Sequence, residues 1–178
     1  LFGPRQVVET PEFHRAPELV WTGHEFAMAW LDDRDGAEGI YFVRFTADGV
    51  PLADPARLVP AALWSTYNCS VSLAVTDAGF VLAWSAVWDE RPGWWPVPHS
   101  QVRFMPLDAL GHATRDSVVV CDQYSSFGTK CSNGQLRRTG GEMGLFWTAP
   151  SHDDGYASWT WFVGIDTSGD LVGEARQT

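Results

Sequence analysis

The chain has 178 residues, a formal net charge of −10 and a pI near 4.7, long enough for one domain with its own core. Apolar residues make up 45% and charged residues 19%, which excludes a disordered chain. The absence of a basic stripe argues against nucleic acid as a partner, and no apolar run approaches the roughly 20 residues of a membrane-spanning helix.

Helical spacing is scarce along the chain. Trp, Phe, Val and Thr are instead interspersed with Gly, Pro and Asp, as in short strands joined by turns. Residues 1–10 contain "GPRQVV", which is similar to "DPARLV" at 54–59 and reads as the outer strand of a preceding unit. Three units follow, at 11–60, 61–121 and 122–178. Each has a Thr, a Gly-containing turn and an alternating apolar run ending in Trp: "VWTGHEFAMAW" (20–30), "AVTDAGFVLAW" (74–84) and "RRTGGEMGLFW" (137–147). A second run follows in each unit: "IYFVRF", "HSQVRF" and "WTWFVGI". After it come a Gly turn and a fourth short segment, with an Arg at 57, 115 or 176.

Four strands, here A to D, repeated at this period predict an all-β, β-propeller-like fold. The expected architecture is three four-stranded antiparallel blades plus one N-terminal outer strand, forming a single partial or open propeller over 1–178. Trp30, Trp84 and Trp147 are expected to fill the gaps between blades. Three blades do not close a ring, so further blades are expected from a longer chain or from self-association.

Residues 20–52, with the pattern W-T-G-x-x-F-x-M-x-W-x-D-x-R-D-G, then I-Y-F-x-R, then D-G, resemble the repeat of bacterial extracytoplasmic β-propeller proteins. These are the predicted lipoprotein and surface proteins of myxobacteria-like organisms. The resemblance weakens through the second and third units. It implies architecture and an extracytoplasmic (secreted or cell-surface) location, but no activity.

The topology sends the D–A and B–C loops to one end of the propeller. Polar and aromatic residues concentrate there: Trp64 and Tyr67; Trp88, Asp89, Glu90, Trp94 and Trp95; Tyr124; Asp153 and Tyr156. Indole and phenol rings stack on the C–H faces of sugars, and carboxylates accept from hydroxyls, so these residues form the expected ligand face for a glycan or protein. The competing reading folds Trp94 and Trp95 back over their own blade.

"DDRDG" (32–36) and "HDDGY" (152–156) lack the ligand alternation of a calcium loop and read as turns, so no metal and no cofactor is expected. No pair of carboxylates is singled out by spacing, and no catalytic residue is assigned. The five His read as scattered surface or turn residues. One disulfide is expected, Cys69–Cys131 or Cys121–Cys131. The expected function is non-catalytic binding or scaffolding through the loop-rich face. The alternatives are part of a glycan-active hydrolase with carboxylates partly outside this segment, or a purely structural surface repeat.

Overall fold

A computed structural model of the chain describes residues 14–34, 39–60, 70–89, 98–124, 131–139, 142–150 and 158–178. The expected outer strand at 1–10 lies outside them. Among the described residues the regular structure is entirely β. The first sheet comprises β1 (His14–Trp21), β2 (Glu25–Asp32), β3 (Gly39–Thr46) and β4 (Ala56–Val59). The second comprises β5 (Val71–Val75), β6 (Gly79–Asp89), β7 (Pro98–Asp108) and β8 (Val118–Tyr124). The third comprises β9 (Ser132–Thr139), β10 (Glu142–Pro150), β11 (Ser158–Ile165) and β12 (Leu171–Gln177). Each is an antiparallel meander in chain order.

The sheets stack face to face, with the A strands side by side: β1 lies against β5, and β5 against β9. The second sheet is therefore covered on both sides. On β6, Phe80, Leu82, Trp84 and Ala86 turn toward Ala27, Ala29 and Phe42 of the first sheet. Val81 and Ala83 turn toward Leu145, Trp147 and Val163 of the third. A strand buried on both faces needs apolar residues at every position, which is why "GFVLAW" does not alternate with polar residues. Trp84 and Trp147 fill the two inter-sheet layers as expected, each almost fully buried. Serine hydroxyls join the layers: Ser72 Oγ accepts from Leu136 N–H and Ser100 Oγ from Cys131 N–H, each at 3.0 Å.

The three C–D turns share one geometry. In each, the first residue donates its N–H to the fifth residue's carbonyl: Thr46 to Val50 (2.9 Å), Asp108 to His112 (2.9 Å), Asp166 to Asp170 (2.8 Å). The fourth residue is a glycine at positive φ: Gly49 (76°), Gly111 (91°) and Gly169 (86°). Only glycine takes that conformation without strain. The recurring Arg keeps no common place. Arg57 pairs with Tyr41 and Arg176 with Phe162 across the sheet, whereas Arg115 precedes β8.

Candidate functional site

The antiparallel meander brings the ends of β2, β6, β10, β4 and β8 and the starts of β3, β7, β11, β5 and β9 to one end of the stack. Glu90, Trp94, Trp95, Trp64, Tyr67, Asp153 and Tyr156 fall outside the described residues. Asp89 closes β6. Trp88 and Tyr124, expected in loops, lie on strands instead, because β6 pairs with β7 out to Asp89↔Pro98 and β8 continues to Tyr124.

The sheet brings these two together around a residue that was not anticipated, His99. Trp88, His99 and Tyr124 are direct cross-strand partners. The imidazole lies between the rings, 4.1 Å from Trp88 and stacked at 3.9 Å on Tyr124, centroid to centroid. His99 lies at the start of the C strand, as the run "HSQVRF" predicts, but it is buried, which corrects its reading as a surface or turn residue. Its Nε2 contacts Asp122 Oδ1. The other carboxylate oxygen of Asp122 accepts from Gln101 Nε2 at 2.9 Å. Gln101 Oε1 accepts from Arg103 Nε at 2.9 Å, and Arg103 also donates to Ser117 Oγ at 3.0 Å. The inner members of this network are buried, Asp122 is half-exposed, and Tyr124 is 58% exposed. The cluster therefore presents an aromatic ring beside a fixed carboxylate at the loop-rich end.

A second polar cluster, at the end of β2, is inward-facing. Asp32 is fully buried and accepts from Trp30 Nε1 at 2.8 Å, Arg34 N–H at 2.8 Å and Arg34 Nε at 2.7 Å. The Arg34 guanidinium lies 4.5 Å from the Tyr41 ring centroid. Burial pushes the Asp32 carboxyl up, but the donors from Arg34 and Trp30 outweigh it and hold the group below its ordinary value. The Asp-rich stretch thus spends its first carboxylate on an internal clamp. Among the described residues no three His, Cys, Asp or Glu side chains converge as a metal would require.

The disulfide is Cys121–Cys131, with Cα atoms 6.1 Å apart. Of the two pairings considered, Cys69–Cys131 is set aside. The bridge ties β8 to the residue preceding β9, next to the Tyr124 cluster.

No family model and no curated protein sequence matches the chain, so the similarity to surface-protein repeats rests on the quoted residues alone. Solved structures do match. An endo-arabinase from Bacteroides thetaiotaomicron superposes with a TM-score of 0.58 at 16% identity, over 92% of this chain and 60% of its own. The chain is an arc of a β-propeller. A thermostable family-43 glycoside hydrolase gives 0.54 at 16% identity, over 93% of this chain and 54% of its own. An exo-1,5-alpha-L-arabinanase from a bovine ruminal metagenomic library gives 0.51 at 14%, over 92% and 57%. The chain spans a little over half the length of the solved propellers it matches, and the likeness is one of fold.

Proposed function

We propose that this propeller acts on glycans and that its blades belong to a carbohydrate-active hydrolase, with catalytic carboxylates partly outside this segment. The observation that carries this reading is the superposition of nearly the whole chain on solved structures named as an endo-arabinase, an alpha-L-arabinofuranosidase and an exo-1,5-alpha-L-arabinanase, and on one named a family-43 glycoside hydrolase. Fold alone does not fix activity. The substrate class proposed is accordingly the broad one, a plant-type polysaccharide bearing arabinose. The Cys121–Cys131 bridge suits an oxidising, extracytoplasmic compartment.

The binding-module reading is favoured by one separate observation, the Trp88–His99–Tyr124 stack with Asp122 beside it. A ring fixed from behind and flanked by an immobilised carboxylate is preorganised to hold a sugar. Affinity electrophoresis in gels containing arabinan, arabinoxylan or cellulose, run alongside an assay for released reducing sugar, tests both readings. Retardation with sugar release supports the hydrolase, and retardation alone supports the binding module. Unretarded migration in every gel overturns both.

A further inference from the structure

The aromatic stack at the end of the second blade turns one ring outward. Trp88 packs against the apolar layer between the first two blades. His99 is buried behind Tyr124, and its imidazole covers one face of the phenol ring. Tyr124 is nonetheless 58% exposed, so the face turned away from His99 is the open one. The stack crosses β6, β7 and β8, from the second strand of the blade to its outermost. The open ring therefore sits at the outer rim of the blade. A cation cage gathers several ring faces about one point. One open face suits a single sugar ring laid on it through its C–H groups.

Asp122, absent from the anticipated ligand residues, decides what stands beside that ring. It precedes Tyr124 by two positions on β8, so the two side chains share a face, about 6.5 Å apart along the strand. The residue before it, Cys121, is bridged to Cys131, which holds this stretch of β8 in place. The carboxylate is half-exposed. His99 Nε2 and Gln101 Nε2 each meet one of its oxygens, and each oxygen keeps a lone pair for one further donor. Arg103, the cation of the network, is turned inward to Gln101 and Ser117. What faces a ligand is thus an anionic acceptor. A sugar hydroxyl donates to such a group. A uronate carboxylate has no proton to donate and meets like charge, which lowers affinity by about fivefold at contact distance even in bulk water.

Resting on the reading that this stack holds a sugar, we propose that Asp122 is its specificity-determining residue: the Tyr124–Asp122 pair takes one neutral sugar ring and rejects anionic glycans. The selection is local. It comes from the carboxylate fixed beside the ring, in addition to whatever repulsion the net charge of −10 exerts on any anionic polymer.

The test sets arabinan, arabinoxylan and cellulose beside their carboxymethylated forms in affinity gels. The unsubstituted chain is expected to bind at least one neutral polymer about tenfold or more tighter than its carboxymethylated form. Asp122→Asn removes only one of ten net negative charges, so repulsion from the molecule as a whole persists. It is expected to tighten binding of the carboxymethylated polymer by about fivefold. Tyr124→Leu is expected to weaken binding of the neutral polymer by about tenfold, with amide protection in β6 unchanged. If Asp122→Asn leaves the carboxymethylated affinity where it was, the discrimination belongs to the net charge and the proposal fails. It fails equally if the unsubstituted chain holds both forms alike, or if Tyr124→Leu binds as the unsubstituted chain does. In all three cases the glycan-acting reading stands. Retardation by no polymer overturns both.

Discussion

Two tryptophans at equivalent places in their blades differ in what the indole N–H meets. Trp30 Nε1 donates to the buried Asp32, whereas Trp84 Nε1 is buried with no acceptor among the described residues. Replacing either indole by phenyl removes buried apolar surface. Only Trp30→Phe also withdraws a hydrogen bond from a buried carboxylate, worth about 1.5–3 kcal/mol. Trp30→Phe is therefore expected to lower the urea midpoint more than Trp84→Phe, and equal losses would show that the Trp30–Asp32 hydrogen bond contributes nothing. The same clamp and the bidentate Arg44–Glu25 pair at 2.7 and 2.8 Å set the acid response. The Arg44 hydrogen bonds hold Glu25 below its ordinary 4.5, and Asp32 lies below its ordinary 3.8. Groups with depressed folded-state pKa values add stability above those ordinary values and lose it as pH falls through the depressed ones. Thermal stability is expected to hold from pH 7 to about 5 and to decline below 4.5, with a shallower decline in Glu25→Gln.

At the scale of the element, the C–D turns offer a controlled comparison. Gly49 and Gly111 both have positive φ, but a methyl group at Gly49 meets nothing within 4 Å and one at Gly111 strikes Phe42. Alanine at either site carries about 1–2 kcal/mol of backbone strain, and Gly111→Ala adds about 1–3 kcal/mol of overpacking. Melting temperatures that fall equally would mean that the joint between blades yields without cost. These turns were legible in the sequence because a glycine recurs shortly behind each C strand, and the strands were legible because each B run ends in Trp. The Trp88–His99–Tyr124 stack was not. A bulge between Val102 and Arg103 shifts the β7–β8 register by one residue. That shift sets Tyr124 opposite His99 and Asp122 opposite Gln101. A one-residue shift exchanges the faces of a strand, so no spacing within either segment alone could have paired them. Trp88 read as a loop residue because the charges and prolines after it break the strand pattern, although its pairing with His99 keeps it in the hairpin.

At the scale of the whole molecule, the blades are held mainly by apolar layers, and one covalent link crosses between them. Cys121 and Cys131 are ten residues apart. They join the outermost strand of the second blade to the residue before the innermost strand of the third, so the bridge ties the two blades together where the chain passes from one to the other. Closing a loop of this size is worth about 2–3 kcal/mol, equivalent to roughly 5–10 °C in melting temperature for a chain of this length. The bridge also leads directly into Tyr124, three residues beyond Cys121. Its loss should therefore loosen the end of β8 before the core gives way. Reduction, or the Cys121→Ser/Cys131→Ser double variant, is expected to lower the melting temperature by that amount. It is also expected to speed amide exchange at 122–124, while β6 between Val81 and Trp84, covered on both faces, stays protected. A melting temperature indifferent to reductant would mean that the inter-blade layers alone fix the chain's path at this joint, and that the Tyr124 cluster is held by the β7–β8 pairing without help from the bridge.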